Sequence, residues 1–184
     1  MFSISTGRRM FAGAGLALGL VTGAVALAGP ASAATVTAQL DSGRILVNGS
    51  SADDGIEIDL NAAGTVVTIS NTLGSVAAGP GCAQAGGTAR CPAGGIDRVD
   101  VFAGDGIDAI RNNTKLPSTL SGDNGFDNVS GGSGADILFG GFGDDKLNGG
   151  LGNDRLSGGI GTDTLNGGAD TDRCDGEIES NCEL

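Results

Sequence analysis

Gly122-Asp-Asn-Gly-Phe-Asp127-Asn-Val129-Ser opens a run of six nine-residue units that ends at Gly167-Gly-Ala-Asp-Thr-Asp172-Arg-Cys174-Asp. Between them stand Gly131-Gly-Ser-Gly-Ala-Asp136-Ile-Leu138-Phe and Gly140-Gly-Phe-Gly-Asp-Asp145-Lys-Leu147-Asn. Gly149-Gly-Leu-Gly-Asn-Asp154-Arg-Leu156-Ser and Gly158-Gly-Ile-Gly-Thr-Asp163-Thr-Leu165-Asn complete the set. Every unit places aspartate sixth and an aliphatic residue or cysteine eighth. A six-residue glycine turn followed by a three-residue strand needs two units to close one coil, so residues 18 apart fall on successive rungs. Asp136 is expected over Asp154, and Asp145 over Asp163.

That stacking implies a cation. Rungs of a parallel sheet lie about 4.7–4.9 Å apart, and two bare carboxylates at that spacing repel by roughly 1 kcal/mol in water and roughly 3–4 kcal/mol at an effective dielectric near 20. Calcium takes oxygen ligands at about 2.3–2.6 Å, so an ion between two turns reaches both. Turns with hard oxygens and neither histidine nor thiolate favour calcium over zinc or copper, and the octahedral demand of magnesium disfavours it. The glycines at places one, two and four permit positive φ, which lets a tight turn aim carbonyl oxygens at the ion.

The units resemble the RTX, or haemolysin-type, calcium-binding repeat, G-G-x-G-x-D-x-U-x. The resemblance implies an all-β chain, a parallel β-roll or β-solenoid that folds on several bound calcium ions. Its metal residues would be Asp127, Asp136, Asp145, Asp154, Asp163 and Asp172, with Asp108 from a further copy upstream. Gly132, Gly134, Gly141, Gly143, Gly150, Gly152, Gly159 and Gly161, at places two and four, would join them. Val129, Leu138, Leu147, Leu156 and Leu165 would stack as an apolar rib, thin enough that stacking and ions must supply the remaining stability. Asp123 and Asp170 depart from the pattern at glycine places, where aspartate tolerates a left-handed backbone. Without the phase between aspartates and aliphatics, so Gly- and Asp-rich a tract would read as disordered.

A seventh copy, Ala103-Gly-Asp-Gly-Ile-Asp108-Ala-Ile110-Arg, stands upstream with alanine first. The ten residues Asn112 to Ser121, kinked at Pro117, would make one side of a coil with a residue to spare, bringing Asp108 near Asp127. Arg44 to Val47, Ile56 to Leu60, Thr65 to Ile69 and Arg98 to Phe102 read as short strands.

Residues 1–33 have the form of a secretory signal peptide, with Arg8 and Arg9 before an apolar stretch and Ala31-Ser32-Ala33 as cleavage site. Arg8-Arg9-Met10-Phe11 also approaches a twin-arginine signal. An exported protein meets an oxidising compartment, where four cysteines suggest disulfides. Three connectivities are open; the local one, Cys82 with Cys91 and Cys174 with Cys182, is expected. The second bridge would draw the tail across the open end of the roll. The Cys82–Cys91 loop, between Pro80 and Pro92, would project. The organisation expected is a signal peptide 1–33, a β-rich capping region 34–102, the roll 103–175 and a disulfide-tied cap 176–184, one domain after the leader.

The net charge is −12, and removal of the leader leaves 8 basic against 22 acidic residues, a net charge of −14. Nucleic acid and anionic membrane are poor partners for that surface. With no histidine, the Ser-His-Asp, Cys-His and H-E-x-x-H arrangements are excluded, and no catalytic residue is assigned. C-x8-C and C-x7-C lack zinc-ligand spacing. Asp170-Thr-Asp172 fails as an EF-hand start because Cys174 and Asp175 occupy a ligand and the glycine place. The reading is an exported, extracellular calcium-binding protein. Its rivals are a calcium-dependent module binding extracellular polysaccharide or a cell surface and, less favoured, a polysaccharide lyase or epimerase using Arg98, Arg111 or Lys115.

Overall fold

The computed structural model describes residues 35–183, so the expected signal peptide lies outside the described residues. No helix occurs among them. The first seven strands are β1 (Val36–Asp41), β2 (Arg44–Asn48), β3 (Gly55–Leu60), β4 (Val66–Asn71), β5 (Val76–Ala78), β6 (Ala83–Ala85) and β7 (Thr88–Pro92). The roll continues with β8 (Arg98–Asp105), β9 (Ala109–Asn112), β10 (Ser118–Asn124), β11 (Asn128–Gly132) and β12 (Ile137–Phe142). It ends with β13 (Lys146–Leu151), β14 (Arg155–Ile160), β15 (Thr164–Ala169), β16 (Arg173–Asp175) and β17 (Ile178–Ser180).

The strands form two sheets, ordered β16-β14-β12-β10-β8-β2-β1-β5 and β17-β15-β13-β11-β9-β3-β4-β7-β6, and from β7 onward successive strands alternate between them. From β8 onward every pairing is parallel, and the registers carry the 18-residue coil: Leu138 lies beside Leu156 and Leu147 beside Leu165. Between β8 and β10 the offset is 19, Val101 beside Leu120, so the Asn112–Ser121 segment absorbs one additional residue. Two buried columns result. Val47, Val101, Leu120, Leu138, Leu156 and Cys174 line one sheet; Ile56, Ile110, Val129, Leu147 and Leu165 line the other.

The first part of the chain combines the two architectures its strands suggested. β2 and β3 run parallel to the roll and form its first coil, whereas β1–β2, β3–β4, β4–β7 and β6–β7 are antiparallel. The core thickens here because each strand buries alternate residues: Ile45 and Val47, Ile56 and Ile58, Val67 and Ile69. Short outer strands, β5 and β6, leave little exposed edge for another chain.

The Cys82–Cys91 loop does not project. Residues 88–92 pair with β4, Ala89 and Cys91 turn fully inward, and the disulfide is buried on one side. Alternation of small apolar residues draws the segment onto the sheet. At the other end, Cys174 and Cys182 are bridged, and β17 pairs with β15 at an offset of only 14, Thr164 beside Ile178. The final turn is four residues shorter than its predecessors.

Candidate metal centre

The sixth-place aspartates form two ladders, one on each edge of the roll. On one, the amides of Asp54, Asp108, Asp127 and Asp145 donate to Oδ1 of Asp108, Asp127, Asp145 and Asp163 at 2.7–2.8 Å, and the amide of Asp163 donates to Glu177 at 2.9 Å. On the other, Ser118, Asp136 and Asp154 donate to Asp136, Asp154 and Asp172, and Asp172 donates to Glu183. Each carboxylate is thus held by the rung before it. All seven aspartates from Asp108 to Asp172 are at most 2% exposed.

Only one oxygen of each is satisfied. Oδ2 of Asp108, Asp127, Asp136, Asp145, Asp154, Asp163 and Asp172 is buried without a hydrogen-bond partner, an arrangement that costs about 1–3 kcal/mol per group, more when charged. Burial is the leading cause of the raised pKa values: Asp108 and Asp154 are pushed up to about 7, Asp127 and Asp136 to about 6, and Asp145 is also raised. Neighbouring rungs add to this, Asp127 and Asp54 acting on Asp108, and Asp136 and Asp172 on Asp154.

These orphan oxygens face the first glycine of their own unit. A Cβ on Gly131 would fall 2.6 Å from Oδ2 of Asp136 and 2.7 Å from the carbonyl oxygen of Gly149, one coil on. The same pair of oxygens crowds Gly140 (Asp145 and Gly158), Gly149 (Asp154 and Gly167) and Gly167 (Asp172 and Asn181). A carboxylate oxygen and a carbonyl oxygen therefore converge on a space that only glycine leaves open. Among the described residues no three acidic or thiol side chains converge, so a cation here must be shared between carboxylate and backbone. An all-oxygen donor set that combines a carboxylate with a backbone carbonyl suits calcium.

Residues 121–156 and 148–180 match the family model described as the RTX calcium-binding nonapeptide repeat (4 copies). Residues 121–180 carry RTX repeats. No curated protein and no solved structure matches it.

The glycine places of the RTX units differ in purpose. Places two and four adopt positive φ at Gly132, Gly141, Gly143, Gly150, Gly152, Gly159 and Gly161, while Gly134 does not. Asp123 and Asp170 hold φ of 73° and 83° at such places, the left-handed backbone expected of them. Place one has no positive φ in any of the six units. Sequence reasoning gave it conformational freedom; its actual requirement is space above Asp Oδ2. Its carbonyls at Gly149, Gly158 and Gly167 are accordingly the ones that meet the orphan oxygens, whereas the carbonyls of Gly132, Gly134, Gly141 and Gly143 press against the glycine one coil on.

Three members of the ladders escaped the sequence. Asp54 begins one of them; its carboxylate accepts from the Asn71 side chain at 2.7 Å and from the Ser50 amide at 2.8 Å, so protein donors close that end. Glu177 and Glu183 close the other ends with a longer side chain. Gly49 to Glu57 is a degraded unit with glycine first, Asp54 sixth and Ile56 eighth, a signal hidden by the loss of its other glycines. Of the positively charged candidates for catalysis, Arg98 pairs with Asp100 at 2.8 Å.

Proposed function

We propose that the protein is an exported calcium-binding module whose roll sets when calcium enters the two aspartate ladders. The observation that carries this reading is the row of seven buried Oδ2 atoms without a hydrogen-bond donor. Bound calcium would supply the positive charge that these oxygens lack. Asp136, Asp145, Asp154 and Asp172 would each offer Oδ2, with a carbonyl oxygen from the following coil, at Gly149, Gly158, Gly167 and Asn181. Oδ1 holds the carboxylate in place through the amide of the preceding rung, so ion binding and coil stacking use opposite oxygens of one side chain. Binding energy then becomes folding energy.

The rung of Asp108 differs. Ala103 stands at place one, so a methyl group occupies the position that bare glycine leaves free elsewhere, and Asp108 is not expected to take an ion as the others do. Export is supported by the leader-like residues 1–33 and by two disulfides, which persist in oxidising compartments. Extracellular calcium modules work at roughly 10⁻⁴–10⁻³ M, a range in which the chain would stay loose before export and set after it. No catalytic role is proposed, since the buried carboxylates are committed to the ladders.

Equilibrium dialysis of residues 34–184 against calcium tests the reading. Several ions per chain, lost together in Asp145→Asn and Asp154→Asn, are expected. Absence of calcium binding at millimolar concentrations would refute it.

A further inference from the structure

All four phenylalanines in the described residues are exposed: Phe102 41%, Phe126 58%, Phe139 43% and Phe142 59%. Their placement is ordered. The edge where β8, β10, β12 and β14 leave for the opposite sheet presents one large apolar side chain per coil: Ile107 and Phe126 in the turns, and Phe142 and Ile160, side by side, as the last residues of β12 and β14. The opposite edge presents Leu151 alone. One bare apolar residue per coil lines this edge over four successive coils, and Asp105 at the end of β8, Asp123 near the end of β10 and Asp144 in the turn after β12 give it an acidic rim.

A complementary surface lies on the outer face of the first sheet. Ile137, Arg155 and Arg173 stand side by side on β12, β14 and β16, next to Phe139, and line an open groove of about 570 Å³ that also includes Asp175. The ion pairs among the described residues involve Arg44 and Arg98 only. Arg155 and Arg173 are therefore two guanidinium groups on adjacent strands without a carboxylate partner, in a chain of net charge −12.

We propose that a second copy of the chain seats its turn edge, through Phe142 and Ile160, in this groove, with its acidic rim against Arg155 and Arg173. Edge against edge would bring acid to acid, and face against face would bring arginine to arginine. Only the heterologous contact matches both apolarity and charge. Edge and face meet at a corner of one molecule, so a chain cannot satisfy itself, and repetition yields an open or ring-forming assembly. The contact needs the folded roll; ions matter to it only through folding.

Sedimentation velocity of residues 34–184 in calcium, with circular dichroism on the same samples to verify the fold, tests the proposal. The unaltered protein should associate with increasing concentration, more weakly at high salt. Phe142→Ser/Ile160→Ser and Arg155→Glu/Arg173→Glu should each be monomeric, and their mixture should form a 1:1 dimer, because each retains the surface the other lost. Should either double variant lose its β signal, Phe142→Ala and Arg155→Ala/Arg173→Ala replace it. A folded protein that stays monomeric at every concentration overturns the proposal, as does a mixture of the two variants that stays monomeric or variants that assemble like the parent.

Discussion

The amide of Asp136 donates to Oδ1 of Asp154 at 2.8 Å, and Oδ2 of the same Asp154 is left buried with no donor. Stacking and ion binding are thereby divided between two oxygens of one carboxylate, and the two can be separated by substitution.

Asp154→Asn keeps the shape and an Oδ1 acceptor but removes the charge. In chelator, the variant is expected to be more stable than the parent by about 1–3 kcal/mol, since an unpaired buried charge has been deleted. In calcium the order reverses, with affinity lowered at least about tenfold, or 1.4 kcal/mol. Urea unfolding with and without calcium reads both signs, and equal destabilisation in both conditions would contradict the division of labour.

Gly149→Ala puts a methyl group against Oδ2 of Asp154 and the Gly167 carbonyl. Overpacking of this kind costs about 1–3 kcal/mol, and calcium binding should weaken with it. Gly94→Ala, which meets nothing within 4 Å, is the control. Thermal unfolding in calcium should separate the two variants although neither position has positive φ.

Ala103→Gly makes the converse change. Removing the methyl group at place one opens the space over Asp108, whose Oδ2 is already buried and unpaired. The expected outcome is one additional ion per chain by equilibrium dialysis. An unchanged count would mean that place one does not gate occupancy.

Acid should favour the calcium-free roll. Asp108, Asp127, Asp136 and Asp154 titrate near 6–7 when folded, above their ordinary value of 3.8. Folded carboxyls that hold protons more tightly than unfolded ones impose a penalty that is absent below about pH 4 and complete above about pH 7. Stability in chelator should therefore fall as pH rises across that window. With saturating calcium, protons compete with the ions and these groups contribute in the opposite direction. Urea midpoints at several pH values, with and without calcium, provide the comparison.

The coil was legible because aspartate and aliphatic recur in phase, and the 19-residue step from Asp108 to Asp127 could be placed from the surplus residue alone. Leu120 was not legible as its core partner, since Ser118 replaces the aspartate two places before it; the structure has the Ser118 amide and hydroxyl both donating to Asp136. Asp54 was hidden because the β4–β7 insertion separates its unit from the next. The first-place glycines were conspicuous, but their reason was not. Repetition reveals that glycine is needed, while only coordinates distinguish a need for positive φ from a need for empty space.

The most direct test is far-UV circular dichroism of residues 34–184, disulfides intact, as calcium is titrated into chelated protein with magnesium as control. A cooperative gain of β signal with calcium and not with magnesium is the predicted result. A spectrum already β-rich in chelator and unchanged by calcium would contradict the claim that ion binding folds the roll.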